Sequence, residues 1–189
     1  MEKIILTVLL LFFYSFTNAQ ITKGNWMVGG SGSFNNYKST YEYEGVEYSS
    51  ELNYATVNSD IGYFFHDNIV AGAALNYYGN YPKGDFKASH NYGAGPFVRY
   101  YILKPEKVIN VFTQAGVIIR GAKNSSGTFG PSYSYPFKAG TAIFFNSSVA
   151  LELSLNYNID KLDGAGGNQK TTNNTFTIGI GFQIHLEKK

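Results

Sequence analysis

Residues 176–186 read FTIGIGFQIHL, in which Phe176, Ile178, Ile180, Phe182, Ile184 and Leu186 alternate with Thr177, Gly179, Gly181, Gln183 and His185. Successive side chains of a strand point to opposite faces, so strict period-two alternation predicts a β-strand with one apolar face and one polar or small face. At about 3.3 Å per residue and a tilt near 40°, this stretch rises about 25 Å along a barrel axis, the height of the apolar band of an outer-membrane barrel. A chain built from such strands must cover the apolar face of each one, either with protein or with lipid.

Seven further stretches alternate in the same way. The first places Trp26, Val28, Gly30, Gly32 and Phe34 on one face, and the second, over about 52–65, sets Ala55, Val57, Ile61, Tyr63 and Phe65 opposite Thr56, Asn58, Asp60, Gly62 and Phe64. The others run over about 69–78, 89–102, 108–121, 135–145 and 149–157. Pro96 lies inside the fourth, and because proline cannot donate to a ladder a bulge is expected there. Short turns at 66–68, 103–107 and 146–148 alternate with longer polar loops at 35–50, 79–87, 122–134 and 158–174. Short turns at one end and long loops at the other are the asymmetry of outer-membrane barrels. The expected fold is all-β: an eight-stranded antiparallel up-and-down transmembrane β-barrel.

Ahead of it, residues 1–19 read as a cleaved secretory signal peptide. Lys3 supplies the charge, 4–16 the apolar run and Thr17-Asn18-Ala19 a small-residue cleavage site before Gln20. The apolar run is too short to span a bilayer as a helix. Residues 20–189 are then a single barrel domain. Cysteine is absent, which excludes a disulfide framework, a thiolate metal site and a thiol nucleophile. A formal net charge of +2 gives no electrostatic case for nucleic acid. No cofactor motif is present; the Gly29-Gly30-Ser31-Gly32 run opens no helix and is no phosphate loop.

Alternation alone does not say which face looks outward, and a secreted lipocalin-like carrier would show the same pattern with its apolar side inward. The charges decide. Only 15% of residues are charged, against about 25–35% for a water-facing surface. Over all the strands the polar face carries just Asp60, Arg99, Arg120, Lys138 and Glu152. It also carries Gly62, Gly72, Gly93, Gly95, Gly116, Gly140, Gly179 and Gly181, small residues suited to a narrow, side-chain-filled lumen. Aromatics gather near both ends of the apolar faces, Trp26, Tyr63, Phe65, Tyr100 and Phe145 at one and Phe34, Tyr77, Tyr92, Phe137, Tyr157 and Phe176 at the other, as interfacial girdles do. The apolar face is therefore expected to meet outer-membrane lipid.

Three segments carry a resemblance: Ile61-Gly62-Tyr63-Phe64 followed by Asp67-Asn68-Ile69-Val70-Ala71-Gly72, then Gly95-Pro96-Phe97-Val98-Arg99-Tyr100-Tyr101, then the terminal strand. Together they resemble the small outer-membrane β-barrel family that includes OmpX-, OmpW- and OmpA-type barrels. The resemblance covers residues 20–189. It implies the outer membrane of a Gram-negative-type envelope as the location and the barrel-assembly machinery as a partner. The chain departs from the pattern at Leu186-Glu187-Lys188-Lys189, where many such barrels end on an aromatic residue read by that machinery.

The charges on the polar face are the most informative candidates, because an unpaired charge in a low-dielectric lumen is costly. Asp60, Arg99, Arg120, Lys138 and Glu152 are expected to form one lumenal network that plugs the barrel; the alternative is a narrow channel for small solutes. A lipid-modifying enzyme is a weaker alternative, resting on His90 beside Ser89, since some eight-stranded barrels are lipid A deacylases or acyltransferases. His66 and His185 fall at the opposite end from His90, which argues against a three-histidine metal site. Asp160, Asp163 and Gly164 lack the repeated acidic spacing of a calcium loop. Tyr37, Tyr41, Tyr43 and Tyr48, among Glu42, Glu44 and Glu47, have the composition of an adaptable contact surface for an external ligand. The sequence thus points to a monomeric structural or surface-interaction barrel with no catalytic or metal site.

Overall fold

The computed structural model describes residues 21–84, 87–124, 127–128, 132–163 and 170–186. The leader expected over 1–19, the glycine-rich run at 164–167 and the terminal Glu187, Lys188 and Lys189 lie outside them. The elements are β1 (Trp26–Tyr43), β2 (Val46–His66), β3 (Ile69–Pro82), β4 (Ser89–Tyr101), β5 (Ile109–Gly116), β6 (Ile118–Asn124), β7 (Gly127–Thr128), β8 (Ser132–Phe144), β9 (Val149–Asp163) and β10 (Lys170–Leu186). Each pairs antiparallel with its neighbours, and β10 returns to β1, closing a ring of 8 strands. In that ring β5 and β6 are one wall strand interrupted at Val117, and β7 only adds to the free end of β6.

The interruption has a cause on each side. Pro96 of β4 sits beside it, and Pro136 of β8 sits across from it. Pairing between β4 and the split strand stops at Phe97↔Gly116 and resumes at Ala94↔Ile119, three residues on along each chain. Pairing with β8 stops at Ala115↔Phe137 and resumes at Ile118↔Ser134, again three and three. The register is kept on both sides, so the bulge expected at Pro96 does not form. A missing N–H breaks the ladder without inserting a residue, and Val117 N still donates to Pro96 O at 3.1 Å. The freed carbonyl of Val117 leans over Gly95, where any Cβ would overlap its oxygen. The register shift that does occur lies at Phe65, between Phe64↔Val70 and His66↔Ile69.

One expected loop is a paired hairpin instead. Residues 35–50 continue the ladder of β1 and β2 to its tip, from Asn35↔Tyr54 up to Tyr43↔Val46. The turn is Glu44-Gly45 with φ of 50° and 77°, both positive as a two-residue type I′ hairpin requires. Polar residues and tyrosines alternate along both arms, which suits a ribbon exposed on two faces and hides it from a search for apolar alternation. β9 and β10 likewise pair to Asp163↔Lys170, beyond the strand ends expected at 157 and 176.

The faces point as the charge count requires. Leu151, Leu153, Leu155, Ile178, Ile180 and Phe182 point outward, with Ile178 78% and Ile180 64% exposed. Arg99, Asn110, Gln114, Glu152, Ser154, Gln183 and His185 are buried inside. An apolar band of this extent around the whole ring is incompatible with a water-facing surface. The ring is unevenly closed: β1 meets β10 only from Trp26↔Leu186 to Gly30↔Phe182, and above those pairs the two strands part.

Candidate functional site

The lumen is organised around Arg99. Alternation along β4 turns Phe97, Arg99 and Tyr101 inward, and the Arg99 side chain is wholly buried, so its donors need partners from other strands. The guanidinium donates from Nε to Gln114 Oε1 of β5 at 2.6 Å, from one terminal nitrogen to Glu152 Oε2 of β9 at 3.0 Å and to Tyr101 Oη at 3.3 Å, and from the other to Asp60 Oδ2 of β2 at 3.3 Å. Its plane lies over the Phe112 ring, 4.3 Å from the centroid, a cation–π contact.

Around this centre the remaining groups satisfy one another. Lys138 of β8 reaches both carboxylates, Asp60 Oδ2 at 3.3 Å and Glu152 Oε1 at 3.2 Å. Gln183 of β10 donates to Glu152 Oε2 at 2.6 Å and accepts from Tyr101 Oη at 2.7 Å, while Gln114 Nε2 donates to Asp60 Oδ2 at 3.2 Å. Two carboxylates face two cations, so the layer is neutral. Low dielectric strengthens each contact, and only a fully satisfied network of this kind escapes the penalty of buried charge.

Of the residues expected to form the lumenal network, Asp60, Arg99, Lys138 and Glu152 are brought together. Arg120 is not. It sits on β6, beyond the break at Val117 and nearer the hairpin end, where it pairs with Asp160 Oδ1 of β9 at 2.8 Å. That pair is about 30% exposed on each side, a rim contact rather than part of the central layer. Sequence reasoning missed Tyr101, Gln114 and Gln183 as members. All three lie on the inward parity of strands that carry or neighbour a buried charge, and that parity was the available signal.

Beneath the ion layer, toward the short turns, the lumen is filled by rings. His185 lies among Phe64, Phe144 and Tyr101 at centroid distances of 5.4, 5.2 and 6.3 Å, with Phe112 beside Tyr101. Met27 and Ile21 are fully buried there. Ile21 precedes β1 and is held by its carbonyl, which accepts from Asn68 N at 3.1 Å, so the start of the described chain folds under the barrel. Above the ion layer the lining is polar: Asn76 Nδ2 donates to Asn58 Oδ1 at 2.8 Å, and Asn91 and Asn156 are half-buried on inward positions.

The remaining candidates separate. Successive strand residues face opposite ways, so Ser89 and His90 do not converge; His90 turns outward and its Nδ1 meets Tyr77 Oη at 3.0 Å. His66 ends β2 and His185 lies within the lumen, and among the described residues no group of three His, Asp or Glu side chains placed to hold a metal forms. The Asp163 side chain and Gly164 are outside the described positions. Tyr37, Tyr41, Tyr43 and Tyr48 all stand on the exposed β1–β2 hairpin, where Tyr41 and Tyr48 stack across the strands at 5.1 Å with ring planes 12° apart.

No protein-family model matches the chain, and no curated protein matches it. Solved structures do. The outer membrane protein OprG from Pseudomonas aeruginosa aligns with a TM-score of 0.57 at 12% identity, over 88% of this chain and 98% of that one. Neisserial surface protein A (NspA) aligns with a TM-score of 0.54 at 14% identity, over 86% of this chain and 99% of that one. At such identities the likeness is one of fold, and it is nearly end to end: the chain has the eight-stranded fold of small outer-membrane β-barrel proteins.

Proposed function

We propose that the chain is a monomeric outer-membrane protein of a Gram-negative-type envelope, closed at the lumen, with a structural or surface-interaction role and no catalytic one. Hydrocarbon is the solvent that suits an outward face of Ile, Leu, Val and Phe bounded by aromatic residues. The short turns then face the periplasm and the β1–β2 hairpin the exterior. Outer-membrane lipid and the barrel-assembly machinery are its partners on this reading.

The observation that carries the closed lumen is the fully buried Arg99, gripped by Gln114, Tyr101, Glu152 and Asp60 above a floor of packed rings. Ions have no route through that layer without breaking it. Planar-bilayer recording of the purified chain should show no steady conductance. A steady open current that changes with Arg99→Ala removes the plug and favours the narrow channel.

A surface role is supported by the hairpin, whose stacked Tyr41 and Tyr48 hold a pre-ordered aromatic face in water at low entropic cost. Replacing residues 37–52 with a two-residue turn, which keeps Asn36↔Asn53 as the last pair, should leave insertion intact and abolish attachment to whatever cell surface or matrix the intact protein binds. Unchanged attachment discards the hairpin as the contact.

A further inference from the structure

The end of β3 and the start of β4 bring three side chains with metal-binding atoms together on the outward face, at the long-loop end of the wall. Tyr77, Gly79 and Tyr81 share the outward parity of β3, and Gly79 lies directly across from His90 of β4. Because Gly79 has no side chain, the phenols on either side of it converge over its backbone: a Cβ there would stand 2.6 Å from Tyr77 Oη and 2.7 Å from Tyr81 Oη. The two hydroxyls meet at 2.5 Å, and Tyr77 Oη also meets His90 Nδ1 at 3.0 Å. The His90 ring stands edge-on to Tyr81 at 5.6 Å, and the Tyr92 ring backs Tyr77 at 5.3 Å.

Adjacent donors around an octahedral ion with bonds of about 2.0 Å stand about 2.8 Å apart, between the two distances in this cluster. A bound cation of high charge drives off phenolic protons, and iron accepts both phenolate oxygen and imidazole nitrogen. Sequence spacing of histidines and carboxylates gives no sign of such a site, because its oxygens come from phenols. The surrounding charges decide the form in which the ion must arrive. Lys87 leads into β4 and Lys123 is the ladder partner of His90, while Lys83 is tied to Glu51 at 2.7 Å and is neutral as a pair. Lysines at those two positions repel a bare trivalent ion and attract an anionic complex of it. We propose that Tyr77, Tyr81 and His90 form a binding site for a ferric ion carried in an anionic, oxygen-donor chelate. The two phenols bind as phenolates, releasing their protons to solvent, and the chelate keeps the remaining positions.

The test uses the full chain folded in detergent micelles, with folding checked by heat-dependent mobility on gels, and titrates it with ferric citrate. Phenolate bound to ferric iron gives a visible charge-transfer band, and that band should grow to saturation at one iron per chain. Tyr77→Phe should abolish it, and Tyr81→Phe should reduce it to about half or less. His90→Phe should leave a band but weaken binding by at least about tenfold. Tyr92→Phe, which keeps the ring that backs Tyr77, should change nothing. No band in the folded wild-type chain overturns the site. So does a band of undiminished strength in either folded tyrosine variant, which would mark an adventitious ion held by other tyrosines. Should Tyr77→Phe fail to fold, Tyr81→Phe, at the exposed end of the strand, decides in the same way.

Discussion

Replacing Arg99 by methionine tests the lumenal layer directly. Methionine keeps an unbranched apolar stem and removes the charged head together with its contact over the Phe112 ring. Four hydrogen bonds go with it, to Gln114, Tyr101, Glu152 and Asp60. More important, Lys138 alone is then left to balance both Asp60 and Glu152. An uncompensated buried charge of this kind destabilises by about 3–5 kcal/mol, and Glu152→Gln should cost about the same because it leaves Arg99 and Lys138 facing Asp60 alone. In the double variant the layer is neutral again, Asp60 against Lys138, and the amide introduced by Glu152→Gln can still accept from Gln183. Its cost should fall well below the sum of the singles, a coupling of about 3 kcal/mol. Urea unfolding in detergent micelles, followed by the fluorescence of Trp26, the single tryptophan, reads all four proteins. Single variants costing less than about 1 kcal/mol, or a double variant that costs the full sum, would refute the network as a cooperative buried layer.

Gly95→Ala should prevent correct assembly, because its Cβ would overlap the Val117 carbonyl, whereas Gly121→Ala, with nothing within 4 Å, should be silent; equal heat-stability on gels would contradict the crowding at the proline break. Glu51 is held below the ordinary carboxylate range first by its hydrogen bond from Lys83 and then by Asn36, so its folded value is depressed. The tie between β2 and the end of β3 should therefore be complete above the ordinary carboxylate range and released only as pH falls through that lowered value; a Glu51 carboxyl that titrates at 4.5 in a 13C NMR titration counts against it. Backbone amides of β10 that face β1 should exchange slowly at Phe182 and Ile184 and rapidly from Lys170 to Ile180; uniform protection would mean the two strands zip together in lipid.

The barrel was legible because alternation with a clean apolar face needs no tertiary information: Leu151 to Tyr157 and Phe176 to Leu186 declare their faces residue by residue. The direction of those faces was legible too, since a ring with five charges on its polar side has too few to face water. What stayed hidden depends on height, not parity. Arg120 shares the inward parity of Arg99, but its level on the wall is set by the register of β6 against β8 and of β8 against β9, which brings it within reach of Asp160. The β1–β2 hairpin was hidden for another reason: the face that carries Tyr37, Tyr41, Tyr43 and Tyr48 offers chiefly tyrosine and serine rather than aliphatic residues, and Glu-Gly is a weaker turn signal than Asn-Gly. Pro96 drew attention as a proline in a strand, yet its effect appears on the neighbouring strand, and Pro136 on the far side of that strand doubles it.

Apart from the register shift at Phe65, these departures fall in the hairpin half of the molecule. Below the level of Gln183 every strand is laddered to both neighbours, the ion layer spans the lumen and the rings of Phe64, Tyr101, Phe112, Phe144 and His185 fill what lies beneath. Just above that level β1 leaves β10, the fifth wall strand breaks at Val117, and three of the four buried side-chain oxygens with no partner among the described residues are found, those of Asn76, Asn80 and Ser134, the fourth being that of Asn68 in the lower turn. A backbone edge facing hydrocarbon is expensive, so the outer half is the less stable of the two and is held upright by the closed inner half. That division suits the proposed role. The buried layer fixes the strands that carry the hairpin, and the hairpin, freed from any duty in closing the lumen, can present Tyr41 and Tyr48 to the outside while the barrel stays shut.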